Sequence, residues 1–155
     1  MEIKKKTLYY GIASILIILL LIFIVPKYFT GNVTASGIPI SSEVEKIEIY
    51  HFHGNNQCSS CIAVGKLAEE TINTYYQNEI KSGKIVFSHI NAELPENIEL
   101  ARKYDVTGSS LWIGTYTKDG KFYKEENTNV WYKINNKQDY LNYLKGLIDK
   151  KLSGQ

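Results

Sequence analysis

The sequence predicts an α/β domain built on one mixed central sheet with helices on both faces, in the order β-α-β-α-β-β-α, preceded by one N-terminal transmembrane helix. Three observations carry this reading. Short runs rich in Ile, Val and Phe alternate with helical-period runs through the first part of the body, the pattern of parallel strands joined by helices. Asp119-Gly120 then separates two strand-like runs and makes the closing pair a hairpin. Leu8 to Val25 is an uncharged run of 18 residues, solidly Ile, Leu, Val and Phe from Ile15 onward.

That run covers roughly 27 Å at about 1.5 Å per residue, close to a hydrocarbon core. Lys4-Lys5-Lys6 precede it, which places residues 1–7 in the cytoplasm. Tyr9, Tyr10 and Tyr28 flank it as interfacial aromatics, and Lys27 can snorkel to the far headgroups. Residues 8–25 are therefore read as a retained membrane anchor. The competing reading is a cleaved signal peptide with Val33-Thr34-Ala35 as its small-residue site, which would leave a secreted protein. The run is long for a signal core, and Ala35 lies ten residues beyond Val25. In both readings the body of the chain ends up extracytoplasmic. Residues 26–43, with Gly31, Gly37 and Pro39 among scattered Ser and Thr, read as a flexible tether. Asn32-Val33-Thr34 fits a glycosylation sequon.

Residues 44–155 are the expected folded domain. Strand one is Lys46–His53, and Ile62 to Ile80 reads as a long helix opened by Cys58 and closed before Ser82-Gly83. Strand two is Lys84–Ile90. Pro95 suits the first turn of a second helix running to Tyr104. Strands three and four are Leu111–Thr117 and Phe122–Glu125, with Lys118-Asp119-Gly120-Lys121 as the turn. Asn127–Asn136 is looser. The last helix is Lys137–Leu152, where Tyr140, Leu141, Leu144, Leu147 and Ile148 recur at helical spacing.

Charge excludes one class of partner. Of 18 Lys and Arg, four lie in the first 27 residues, leaving 14 against 15 Asp and Glu from Glu43 onward. The body is close to neutral and presents no basic face, which argues against nucleic-acid binding. The 2 cysteines are neighbours, so a bridge between them would staple almost nothing. Their role is chemical. In Cys58-Ser59-Ser60-Cys61 the pair opens a helix, where unpaired backbone N–H groups and the helix dipole favour a thiolate. A C-x-x-C at that place in a βαβ pattern reads as a redox site.

The element order, the place of the dithiol and the segment Tyr104-Asp105-Val106-Thr107-Gly108-Ser109-Ser110-Leu111 together resemble the thioredoxin fold over roughly residues 44–152. Three features narrow this: His51-Phe52-His53-Gly54 before the dithiol, Val106-Thr107-Gly108 followed by Ser109-Ser110-Leu111, and the late Trp131. With them the chain is similar to a thioredoxin-like family labelled as the ArsF-type subunit of a nitrophenyl-compound nitroreductase. That resemblance implies a redox accessory role. The thioredoxin pattern also implies a cis-proline facing the dithiol, a position that falls here on Ser110. A cis bond before a non-proline costs about 3–4 kcal/mol, so a trans bond or strain is expected there, with a hydroxyl added near the sulfurs.

The expected chemistry assigns Cys58 as the exposed nucleophile and Cys61, one turn in, as the shielded resolving thiol. Cys61 shares a face with Gly65, Ala68, Ile72 and Tyr75, a stripe read as packing on the sheet. Alternation puts His51 and His53 on one face of strand one, toward the dithiol end. Each has two readings. One is a proton shuttle for Cys61 or a charge that raises the thiolate population at Cys58; the other is a packed, hydrogen-bonded histidine. Thioredoxins place a buried acid near the position of His51, which implies the same task with a different pKa. The catalytic candidates are thus Cys58, Cys61, His53 and Ser110, with no cofactor. The partners expected are protein thiol or disulfide clients and a membrane redox partner that recharges the site. An alternative function is a metal-binding or metal-delivery module using His51, His53, Cys58 and Cys61, which carry the ligand types of a zinc or copper site.

Overall fold

The computed structural model describes residues 33–35 and 43–154. The anchor at 8–25 and most of the tether lie outside the described residues, and among these no helix is long and apolar enough to cross a membrane. The described elements are β1 (Val33–Ala35), β2 (Val44–His53), α1 (Ser59–Tyr75), α2 (Gln77–Lys81), β3 (Ile85–Asn91), α3 (Ile98–Lys103), β4 (Ser110–Thr117), β5 (Phe122–Glu126) and α4 (Lys137–Leu152). Short 3₁₀ turns at Pro95–Asn97 and Thr128–Tyr132 lead into α3 and α4.

The five strands lie in the order β1-β5-β4-β2-β3. β2 runs parallel to β3 and antiparallel to β4, and β5 returns antiparallel along β4. From β2 onward the chain follows β-α-β-α-β-β-α as the sequence predicts. β2 lies inside the sheet, between β4 and β3, and is buried on both faces from Ile47 to Phe52, with Glu48 and His51 carried into the interior among its apolar residues. Ile47 and Ile49 face a core shared with Val64, Ala68 and Ile72 of α1 and Leu144 and Ile148 of α4. Tyr50 and Phe52 face an aromatic cluster with Tyr104, Trp112 and Phe122, against which α3 contributes Leu100 and Ala101. Helices therefore cover both faces, and Trp112 belongs to the core while Trp131 packs at its margin.

Three differences from the sequence reading have physical causes. The long helix is broken at Tyr76 (φ −127°, ψ 32°). Tyr76 turns inward there, its hydroxyl donating to the Lys145 carbonyl at 2.9 Å and to Asp149 Oδ1 at 2.8 Å, while Tyr75 is left 37% exposed. The buried stripe that starts at Cys61 thus ends at Ile72 and passes to Tyr76, not Tyr75. The second difference is at Pro95, which opens a 3₁₀ turn, α3 proper starting at Ile98. Third, Val33–Ala35, within the stretch read as tether, forms β1 and pairs in parallel with Phe122–Lys124 of β5. A three-residue strand is too short for alternation to register. The hairpin turn is as expected, with Gly120 at φ +81°.

Candidate active site

β2 ends at His53, four residues of loop follow, and Cys58 caps α1. Cys58 has extended backbone (φ −73°, ψ 160°), and its Sγ accepts the Cys61 N–H at 3.0 Å. A sulfur thus does the work that Ser, Asp or Asn does at other helix starts, satisfying one of the orphan N–H groups. The two cysteines form a disulfide with their Cα atoms 5.0 Å apart. Cys58 is exposed and Cys61 half-buried. A chain that approaches the pair meets Cys58 first.

The loop is held from the β3 side. Glu93 Oε2 accepts the Asn55 N–H at 3.0 Å, and Asn91 Nδ2 donates to Asn55 Oδ1 at 2.8 Å. Beside Cys61 is a groove of about 440 Å³ whose walls include His53, Glu93, Val106, Thr107 and Ser109. A second depression, of about 490 Å³, shares Val106 and Thr107 and reaches Ile98 and Arg102 on α3.

The structure brings His53 to this groove. Its Nδ1 lies 2.9 Å from the Gly54 carbonyl, which only accepts, so Nδ1 carries the hydrogen of that bond. His51 is treated differently. It is 1% exposed, under α1, and its Nδ1 lies 2.9 Å from His89 Nδ1. Burial pushes its pKa down to about 4, helped by the neighbouring charges of His89 and His53 and opposed by the Cys61 backbone. It is a neutral imidazole at physiological pH.

Ser110 sits elsewhere than the sequence reading puts it. It is 3% exposed, and its hydroxyl donates to the Gly108 carbonyl at 3.1 Å and accepts from Trp112 Nε1 at 3.0 Å. The hydroxyl is occupied in packing β4 onto the aromatic core, and it is Ser109 that borders the groove, with its own hydroxyl unpartnered. The described residues contain no cis peptide bond. Nor do they contain a cluster of three or more His, Cys, Asp or Glu placed to hold a metal ion. The four side chains of the metal alternative do not converge: the sulfurs are bonded to each other, His53 turns to Gly54, and His51 pairs with His89. Asp105 is exposed at the end of α3 with φ 55° and pairs with Lys124 at 2.6 Å.

His89, Glu93 and Ser109 escape a reading by motif. For His89 the signal is the parallel register of β2 and β3, which sets His51 opposite His89 and His53 opposite Asn91.

The strand order, the crossover helices and a C-x-x-C disulfide at the start of α1 define a thioredoxin-like fold carrying a dithiol site. No family model matches the chain, and no curated protein does. Several solved structures are similar to it, among them the following two. One is the Trx4 domain of ERdj5, at 12% identity and a TM-score of 0.49, covering 72% of this chain and 83% of that one. The other is a disulphide isomerase from Xylella fastidiosa Temecula1, at 14% identity and a TM-score of 0.42, covering 67% of this chain and 79% of that one.

Proposed function

We propose that this chain is a thiol-disulfide oxidoreductase, or an electron relay, that works outside the cytoplasm on a membrane anchor formed by residues 8–25. The observation that carries the redox reading is the Cys58–Cys61 disulfide at the start of α1, with the exposed Cys58 sulfur as the cap. Reduction leaves Cys58 where a helix N-terminus and an N–H donor favour its thiolate. A client disulfide is attacked by Cys58, and Cys61 resolves the mixed disulfide. The groove beside Cys61 is where a client segment would lie. Beyond the cytoplasm the protein has no access to the cytosolic thiol pool, so a membrane redox partner recharges it. The His-x-His-Gly and Val-Thr-Gly-Ser-Ser-Leu segments support placing it near the ArsF-type family, in a redox accessory role.

The test is equilibration of the full-length chain with graded dithiothreitol buffers, followed by thiol trapping. A single two-electron transition is expected, and Cys61→Ser should accumulate a mixed disulfide with a model client while Cys58→Ser does not. Trapping by Cys58→Ser alone would reverse the assignment, and absence of any exchange would end the redox reading. A membrane-impermeant maleimide that reaches the reduced dithiol in intact cells supports the topology; labelling only after lysis refutes it.

A further inference from the structure

The groove beside Cys61 is uneven in charge. Of the side chains that line it, Glu93 is a carboxylate and none is a Lys or Arg. The loop at 54–57 carries no charge, and the first turn of α1 carries no acid. The sign of the groove is therefore set by Glu93.

A glutamate on a surface loop ordinarily swings free in water. Here it is tied down. The Glu93 N–H donates to Asn91 Oδ1 at 3.0 Å, and Glu93 Oε2 accepts the Asn55 N–H at 3.0 Å. Asn91 Nδ2 donates to Asn55 Oδ1 at 2.8 Å, and the Asn91 carbonyl accepts from Asn97 Nδ2 at 2.9 Å. The second carboxylate oxygen, Oε1, lies over Gly54, where a Cβ would meet it at 2.6 Å. The side chain is thus folded against the loop that presents the dithiol. Its charge is also uncompensated: no Lys, Arg or His pairs with Glu93 among the described residues. The charges of the adjoining depression are paired, Arg102 with Glu99 and Asp105 with Lys124, each at 2.6 Å.

We propose that Glu93 is a specificity-determining residue of the groove, selecting clients whose disulfide is flanked by cationic groups, as in a basic peptide segment, and disfavouring anionic disulfides. The proposal rests on the oxidoreductase reading and names the class of client for the same site. The start of α1 alone would have the opposite preference, because its free N–H groups and dipole attract anions. A carboxylate fixed in the facing wall of the groove reverses that sign. Fixing matters, because a side chain already held in place loses little further freedom when a cation docks against it. The attraction is that of an exposed pair, modest and weakened by salt, and repulsion of an anion is of similar size. Such a charge acts on the encounter with Cys58 and is read in the second-order rate of exchange.

The test compares two small disulfides of opposite charge, cystamine and dithiodipropionate. Each oxidises the reduced full-length chain in mild detergent, at low ionic strength and about pH 7.5, where the carboxylates of both protein and disulfide are charged. The reaction is followed by acid quench and thiol trapping. Each rate is divided by that of mercaptoethanol with the same disulfide, which removes the intrinsic reactivity of the disulfide. The normalised ratio of cystamine to dithiodipropionate should be about tenfold in the wild type and should fall to about one or below in Glu93→Gln. The glutamine amide oxygen can still accept the Asn55 N–H, so the loop keeps its tie. Glu96→Gln, an exposed acid outside the groove, should keep the wild-type ratio. Raising NaCl to about 0.5 M should compress the wild-type ratio several-fold. An equal ratio in Glu93→Gln and the wild type overturns the proposal, as does an equal fall in Glu96→Gln. A wild-type ratio that salt leaves unmoved overturns it too, whether or not a variant folds. A wild-type chain that neither disulfide oxidises overturns the oxidoreductase reading and the proposal with it.

Discussion

Gly65 lies against His51 so closely that a Cβ there would meet the ring Nδ1 at 2.4 Å and Cε1 at 2.7 Å. The absence of a side chain at one position of α1 is what lets an imidazole sit beneath the helix. The ring is hemmed in by the sheet and by His89, so it cannot yield as the tip of a flexible chain would.

Gly65→Ala should therefore destabilise the fold, although alanine is the better helix former by about 1 kcal/mol. Overpacking costs about 1–3 kcal/mol, and the net loss should be visible as a lower urea midpoint. The same change in a His51→Ala background should cost little. Equal losses in the two backgrounds would mean that the clash is not with His51.

Stability should rise with pH between about 4 and 6.5. His51 in the unfolded chain binds a proton below its ordinary value of about 6.5, whereas the folded ring refuses it until about pH 4. Within that window the unfolded state holds more protons. The benefit is complete above it and declines progressively as pH falls through it, by up to about 3 kcal/mol. Denaturation midpoints at pH 7 and pH 5 should differ for the wild type and differ much less for His51→Gln.

Glu48 should behave as a buried structural acid on the opposite face of the sheet. Burial acts to raise its pKa, but hydrogen bonds from Lys46, Tyr116 and Tyr104 outweigh this and hold the carboxyl below its usual range. Its contribution is present above the ordinary carboxylate range and lost at lower pH. Glu48→Gln should cost about 1–3 kcal/mol, because a charged acceptor shared by Tyr104 at 2.9 Å and Tyr116 at 2.8 Å is replaced by a neutral one. An unchanged midpoint at pH 7 would show that the network is idle.

After reduction, iodoacetamide at mildly acidic pH should label Cys58 well before Cys61. Cys58 is exposed and caps the helix, whereas Cys61 is half-buried one turn in. Peptide mapping of a partial reaction gives the order, and equal rates would remove the division of roles.

The sequence carries much of this architecture because its signals are local. The dithiol announces the helix start, Asp119-Gly120 announces the hairpin, and the spacing of Tyr140, Leu144 and Ile148 announces α4 within its observed limits. What escapes a linear reading is decided by contacts distant in sequence. Tyr76 breaks a helix whose periodicity continues because Asp149, 73 residues away, accepts its hydroxyl. Ser110 and Ser109 differ only in which of them β4 carries into the core, and Trp112 decides that by donating to Ser110. His89 looks like a solvated strand residue until parallel pairing sets it beside His51. His51 and His53 share one face of β2 with their rings 5.6 Å apart, yet one borders the groove and the other lies in the interior.

β1 has a further consequence through its direction. It is parallel to β5, which is parallel to β2, and Val33 is paired with Phe122 at the end of the sheet where β2 begins. The domain's leading strand thus starts at one pole of the sheet while both sulfurs lie at the other. Its first residue is set far from the rim that a visiting chain would occupy.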